Sequence, residues 1–307
     1  MNSPLHIVVH GGAGTMPKRL MSPETEQQCH NALQHALKTG YIRMQQGGSA
    51  VDAVEAAVMA LEDFELFNAG KGAVFTNKGK HEMDASIMNG RDLSCGAVSG
   101  ISHVRNPVQL ARCVMEKSEH VFLLGAGAEE FARLQGISFA DDSYFFTQLR
   151  YDQWQKALKK SITVLDHVDD KKFGTVGAVA IDAKGNLAAA TSTGGMTNKL
   201  FGRVGDSPVI GAGTYANNAS VAVSCTGHGE FFIRHVVAYD LHCLIEYKGM
   251  TVQQAADHII FDKLKPIEAE GGLIAVDKHG NFALPFNTTG MYRGWMRAEN
   301  DLYTGIY

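Results

Sequence analysis

Phe173-Gly174-Thr175-Val176-Gly177-Ala178-Val179-Ala180 sets a glycine and a threonine where a polar, charged stretch gives way to an apolar strand. This junction has two readings. In one, Thr175 only begins a β-strand, which suits a β-branched residue. In the other the junction is chemical, because glycine tolerates strained backbone angles and leaves its carbonyl open to the hydroxyl that follows. Attack of the Thr175 hydroxyl on the Gly174 carbonyl would shift the acyl group from nitrogen to oxygen, and hydrolysis of that ester would cut the chain. Thr175 would then carry a hydroxyl and a free α-amine of reference pKa about 7.7 to 8.0, suited to act as a general base near neutral pH.

Upstream of the junction, from about Tyr144, the chain turns polar, passing through a helical patch from Arg150 to Lys160 and ending in Asp169-Asp170-Lys171-Lys172. This is the linker candidate. Downstream, Val176 to Asp182 turns at Ala183-Lys184-Gly185-Asn186 into Leu187 to Thr193, and Leu273 to Asp277 turns at Lys278-His279-Gly280-Asn281 into Phe282 to Phe286, both antiparallel hairpins. Between them lie a helix from Glu230 to Tyr247, stopped by Gly249, and one from Thr251 to Leu264 with a Thr251/Gln254 capping box.

Toward the start, Leu5 to Val9 reads as a strand entering a glycine-rich turn, His10 to Gly14. Ser49 to Leu61 is an amphipathic helix with Val51, Val54, Val58 and Leu61 on one stripe and a Ser49/Asp52 capping box. Asn106-Pro107 opens another helix, and His120 to Leu124 reads as a buried strand. Hairpins clustered with helices on either side predict sheets stacked face to face and covered by helices, an α+β fold in a single domain over 1–307.

The composition narrows the function. The 307 residues carry a net charge of −4 with 45% hydrophobic and 20% charged residues, which suits a soluble globular protein with a full-sized core. The short basic runs Lys159-Lys160 and Lys171-Lys172 do not make a nucleic-acid surface. No apolar run reaches the roughly 20 residues needed to span a bilayer, and Met1 to His10 lacks a basic n-region and a long h-region, so a cytoplasmic protein is expected. Cys29, Cys95, Cys113, Cys225 and Cys243 are scattered and read as reduced packing residues. Gly12-Ala13-Gly14 and Gly125-Ala126-Gly127 lack the rest of a dinucleotide or phosphate-loop fingerprint. No zinc motif accompanies His81-Glu82, and no Gly-x-Ser-x-Gly elbow is present.

In chain order, the motifs are His10-Gly11-Gly12-Ala13-Gly14, Phe67-Asn68-Ala69-Gly70, Met83-Asp84-Ala85-Ser86, Gly174-Thr175-Val176-Gly177, Thr191-Ser192-Thr193-Gly194-Gly195, Gly202-Arg203-Val204-Gly205-Asp206-Ser207 and Thr226-Gly227-His228-Gly229-Glu230. In this order they resemble the plant-type asparaginases and isoaspartyl peptidases, N-terminal nucleophile hydrolases that use threonine. The likeness extends to the bacterial members, which also end much like Gly290-Met291-Tyr292-Arg293 and Thr304-Gly305-Ile306-Tyr307.

The resemblance implies a four-layer αββα sandwich, self-cleaved into 1–174, with a linker at about 150–174, and 175–307, and paired as a dimer of αβ heterodimers. It implies hydrolysis of β-aspartyl amide bonds in isoaspartyl dipeptides and L-asparagine. Thr175 matches the nucleophile and Thr193 the threonine that orients it, while Thr226 and the Gly227 amide match the oxyanion hole. Arg203 and Asp206 match the substrate clamp, whose chemistry fits a zwitterion: a guanidinium fork for the α-carboxylate and an aspartate for the α-ammonium. Gly229 matches a further main-chain contact to substrate, and Asn68 lies near the site in relatives.

The resemblance implies no cofactor for catalysis. It does imply a structural sodium ion held by the main-chain carbonyls of Leu61, Glu62, Phe64, Phe67, Ala69 and Lys71. His228 receives no role. Two alternatives stay open, a glycosylasparaginase and a non-catalytic binding protein of the same fold for a small zwitterion.

Overall fold

The computed structural model describes residues 4–14, 18–159 and 174–307. Along the chain the strands are β1 (His6–Ala13), β2 (Met83–Asn89), β3 (Cys95–Ile101), β4 (Phe122–Leu124), β5 (Thr175–Ile181), β6 (Leu187–Thr193), β7 (Thr214–Ala216), β8 (Val221–Gly227), β9 (Gly271–Asp277), β10 (Phe282–Ala283), β11 (Met291–Ala298) and β12 (Asp301–Gly305). The helices before the Gly174–Thr175 junction are α1 (Pro23–Gln45), α2 (Ala50–Glu62), α3 (Pro107–Lys117), α4 (Gly125–Leu134), α5 (Asp142–Phe145) and α6 (Gln148–Lys159); after it come α7 (Gly229–His235), α8 (Val237–Lys248) and α9 (Val252–Asp257).

Among the described residues the strands form an eight-stranded sheet in the order β12-β11-β1-β5-β6-β2-β3-β4 and a four-stranded sheet in the order β10-β9-β8-β7. Every pairing is antiparallel except β3 with β4. Alternation along the central strands divides two cores. Ile7, Val9, Val176, Ala178 and Ala180 join α1, α2 and α3 in one core. Val8, Val179 and Ile181 join β8, β9, α8 and α9 in the other. A period of two sends neighbouring side chains to opposite faces, so one strand serves both cores. The architecture is a mixed α+β arrangement of stacked sheets and helices.

Much of the local reading holds. Both capping boxes form, Ser49 with Asp52 and Thr251 with Gln254, and Val51, Val54, Val58 and Leu61 are buried. Among the described residues all five cysteines are free, and no helix is long and apolar enough to cross a membrane.

Several boundaries need correction. The expected helix from Glu230 to Tyr247 is two helices, broken at Val236, whose φ of 47° is left-handed. The first N–H groups of α8 turn away to the loop ahead of β7, Ala238 donating to Ala212 O and Tyr239 to Gly211 O, so the helix cannot run through. The helix from Thr251 becomes α9 followed by a wider π turn over His258–Leu264. His10 to Gly14 is mostly strand, because β1 continues to Ala13 across a bulge; there glycine permits close approach, since a Cβ on Gly11 would lie 2.7 Å from the Phe67 ring. The buried strand expected at His120 to Leu124 is the short edge strand β4, with Phe122 and Leu124 exposed. The last hairpin's return strand stops at Ala283, ahead of Pro285, which has no N–H for a ladder. The helical patch expected from Arg150 to Lys160 does form, as α6, and the rest of the linker candidate, 160–173, lies outside the described residues.

Candidate active site

Thr175 opens β5 and Thr193 closes β6, and the antiparallel register sets them directly opposite each other. Both are nearly buried. Thr175 Oγ1 donates to Thr193 Oγ1 at 3.2 Å, the Gly195 N–H donates to the same oxygen at 3.0 Å, and Thr193 Oγ1 donates to Gly174 O at 3.4 Å. A hydroxyl has one proton and two lone pairs, so Thr193 is fully used. Its proton points at the carbonyl ahead of Thr175, and the proton of Thr175 points to Thr193, which leaves the lone pairs of the Thr175 oxygen uncommitted.

Asn68 bridges the strand ends. Its Nδ2 donates to Gly195 O at 2.7 Å, and its main-chain oxygen accepts from the Gly194 N–H at 3.0 Å. It also lies hard against Gly174, where a Cβ would fall 2.2 Å from that of Asn68, so glycine is the residue the junction can take.

A cavity of about 30 Å³ is lined by Gly174, Thr175, Thr193, Arg203, Asp206 and Gly227, among others. Thr226 stands behind it, fully buried, its Oγ1 accepting from the Ala13 N–H at 3.1 Å, which leaves its own proton to donate. A Cβ on Gly227 would lie 2.6 Å from Glu270 O, so the backbone beside Thr226 has room only for glycine. Gly229 abuts the clamp, with room for a Cβ only 2.9 Å from both Arg203 Nη2 and Asp206 Oδ1. The structure thus gathers the sequence-predicted residues into one cluster, with Thr226 and Gly229 just outside the lining.

The clamp residues have different electrostatic settings. Asp206 is buried, its Oδ2 has no hydrogen-bond partner among the described residues, and its carboxyl is pushed up to about 7, chiefly by burial and in part by Glu230 and Asp84, against the pull of Arg203. Arg203 is held by Glu230, with Nε and Nη2 each 2.8 Å from a separate carboxylate oxygen. Burial opposes the charge on Glu230, but the hydrogen bonds and charge of Arg203 outweigh it and hold this carboxyl below its ordinary value. His228 also lies against Glu230, at 3.3 Å.

The sequence reading missed two features. Glu230 stood in a quoted motif without a role. The other is a buried polar chain between the sheets, in which His10 Nε2 lies 2.9 Å from Ser224 Oγ, Ser224 2.7 Å from Thr191, Thr191 2.5 Å from Thr214, Thr214 2.8 Å from Ser86, and Ser86 2.6 Å from Ser207 O. Burial pushes His10 down to about 3, countered in part by a hydrogen bond to the Thr175 main chain. The detectable signal was polarity at alternate strand positions that should have faced a core.

In the loop after α2, the carbonyls of Leu61, Phe64, Phe67 and Ala69 each accept a turn hydrogen bond, at 3.1–3.3 Å. The Glu62 carbonyl faces Gly70, where a Cβ would lie 2.5 Å away. The loop is a tight coil of main-chain oxygens, neutral donors of the kind a hard monovalent cation accepts, and each carbonyl in a single hydrogen bond keeps a second lone pair. Among the described residues no cluster of three or more His, Cys, Asp or Glu side chains could hold a metal ion.

The sequence profile of one family, Asparaginase_2, described as asparaginase, matches residues 3–306. The chain is 54% identical to the isoaspartyl peptidase of Escherichia coli, over 98% of this chain and 95% of that protein. It is 53% identical to the isoaspartyl peptidase of Salmonella typhimurium, over 98% of each. It is 44% identical to the human isoaspartyl peptidase/L-asparaginase, over 98% of this chain and 95% of that one. With the paired threonines, the glycine ahead of them and likeness along nearly the whole length, the chain belongs to the Asparaginase_2 family.

Proposed function

We propose that this protein hydrolyses β-aspartyl amide bonds, in isoaspartyl dipeptides and in L-asparagine, with Thr175 as a nucleophile released by self-cleavage after Gly174. The observation that carries this reading is the hydrogen-bonded run from Thr175 through Thr193 to the Gly174 carbonyl. In self-cleavage the Thr175 Oγ1 bonds to the Gly174 carbonyl carbon, the C–N bond breaks, and the hydroxyl proton passes to the amine. Water then hydrolyses the ester. In turnover the freed α-amine takes the Thr175 hydroxyl proton as the oxygen attacks the substrate's side-chain carbonyl. The amide C–N bond then breaks with that proton passing to the leaving amine, and water hydrolyses the aspartyl ester to return the Thr175 hydroxyl. The Thr226 hydroxyl and Gly227 N–H receive the negative charge that develops on oxygen. Arg203 takes the α-carboxylate, Asp206 the α-ammonium, and Gly229 leaves them space to close.

The same reading includes the four-layer αββα arrangement, supported by the two sheets with helix-lined cores, and assembly as a dimer of αβ heterodimers, supported by the family likeness. A sodium ion on the carbonyls of Leu61, Glu62, Phe64, Phe67, Ala69 and Lys71 would neutralise the dipoles of that coil and fix its shape.

Thr175→Ala tests the proposal, because one hydroxyl serves both reactions. On a denaturing gel the wild type should give two species of about 19 and 14 kDa from the 33.2 kDa chain, and the variant one. Self-cleavage persisting in the variant would remove Thr175 as the nucleophile. Preference for a glycosylated asparagine over β-Asp-Leu would favour a glycosylasparaginase, and an uncut wild type a binding protein.

A further inference from the structure

Loop 66–72 lies between α6 and the Gly174–Thr175 junction, and both are fastened to it. From α6 the buried guanidinium of Arg150 donates through Nε to Gly72 O at 2.8 Å and through Nη2 to Leu66 O at 3.1 Å, so one side chain closes the loop at both ends. Its Nη1 donates to Gln153 Oε1 at 3.0 Å, which holds the fork in plane. Between those two carbonyls the loop presents Asn68, whose Oδ1 accepts from the Val74 N–H at 3.0 Å while its other groups hold Gly194 and Gly195. Asn68 is also the residue packed against Gly174. Arg150, Asn68 and Gly174 line one cavity of about 40 Å³. Arg150 and Gly174 therefore both rest on the same loop.

A planar guanidinium can hold two carbonyls in fixed directions, which an ammonium cannot. Gly70 and Gly72 let the loop coil this closely, since a Cβ on either would meet the main-chain oxygen of Glu62 or Phe67, and the Arg150 fork ties its two ends together. We infer that Arg150 is a positioning residue for self-cleavage: by closing loop 66–72 it sets Asn68 against Gly174 and so holds the scissile carbonyl in reach of Thr175 Oγ1. This rests on the reading that the chain cuts itself there, with the bond changes given above. A misplacement of about 1 Å at a reacting centre can cost about a hundredfold in rate. Once the bond is cut, Gly174 no longer reacts, and the demand on Arg150 falls.

The test follows the conversion of freshly purified full-length chain to two species on denaturing gels, for wild type, Arg150→Met and Arg150→Lys. The turnover of β-Asp-Leu is measured per cleaved chain. Arg150→Met should slow conversion at least about tenfold while kcat/KM per cleaved chain stays within about threefold of wild type. Arg150→Lys, which keeps the charge and reaches one carbonyl, should be slowed less, and it decides the matter if Arg150→Met does not fold. Conversion of either variant at the wild-type rate overturns the inference. So does an equal loss in conversion and in turnover per cleaved chain, which would make Arg150 a general support of the fold. A wild type that stays whole overturns the self-cleavage reading itself, and the inference with it.

Discussion

Arg203 lies fork to fork with Glu230, both of its pairing nitrogens 2.8 Å from a carboxylate oxygen. Glu230 therefore takes one N–H each from Nε and Nη2, and a substrate α-carboxylate that binds Arg203 on that edge, as proposed, competes with a resident anion. The pair is partly exposed, with side-chain accessibilities of 20% and 44%, and such pairs contribute little net stability, so exchange with an incoming carboxylate is open to it. Glu230→Gln keeps the shape and weakens the competitor. The KM for asparagine should fall by about threefold to tenfold with kcat little changed, measured by steady-state kinetics. A raised KM would instead make Glu230 the group that aims Arg203.

Asp206 must be ionised to accept from an ammonium, and its carboxyl sits at about 7. Protonation below that value removes the acceptor, so kcat/KM for asparagine should rise with pH through about 7, since this quantity follows ionisations of the free enzyme. Glu230 is one cause of the upward shift. Glu230→Gln should therefore move the acidic limb to lower pH. A profile flat from about pH 5.5 to 7 would exclude Asp206 from ammonium recognition.

Thr193 both accepts the Thr175 proton and donates to Gly174 O. Thr193→Val fills the same space without a hydroxyl and should slow self-cleavage by at least about a hundredfold. Thr193→Ser should retain most of the rate. Band intensities over time on a denaturing gel check both, and equal rates for the two variants would assign the role to packing.

His10 is buried and held near 3, while its unfolded value is 6.5. A folded-state pKa below the unfolded one gives stability that is fully present above 6.5 and is lost as pH falls toward 3. The melting temperature should therefore drop steadily below about pH 6. His10→Gln, which cannot titrate, should melt lower at neutral pH with a shallower acid slope. Parallel slopes for the two proteins would place the acid loss elsewhere.

If sodium closes the coil after α2, replacing choline chloride by sodium chloride at constant ionic strength should raise the melting temperature by about 2–4 °C, through binding to the folded form alone. Calorimetry on the Thr175→Ala precursor reads this without reference to turnover. An identical melting temperature in the two salts would leave those carbonyls with only their turn hydrogen bonds.

What could be read from the sequence was local. The Ser49/Asp52 box and the apolar stripe of α2 need only residues three or four apart, and the Thr175–Thr193 opposition needs only a hairpin of known turn. The break at Val236 could not be read, because its cause is Gly211 and Ala212, more than twenty positions earlier in the chain. The grip of Arg150 on Leu66 and Gly72 leaves no pattern either, since carbonyls have no side-chain signature. His10 looked like the edge of a glycine turn, and only the facing sheet, with Ser224, shows it as interior. Residues that line the cavity were legible as motifs, but the pairing of Glu230 with Arg203 required the fold.

The order of the large sheet has a consequence for the cut protein. Read across it, β12 and β11 come from the later piece, β1 from the earlier, β5 and β6 from the later, and β2, β3 and β4 from the earlier. Severing the chain before Thr175 would leave two polypeptides shuffled together like cards, joined by ladders on three shared seams. Neither could leave without dismantling the sheet, so dilution alone should never separate them. Denaturation would then be a one-way passage: the whole chain refolds from a single strand of its own, whereas the severed halves must find each other, and their recovery should depend on concentration.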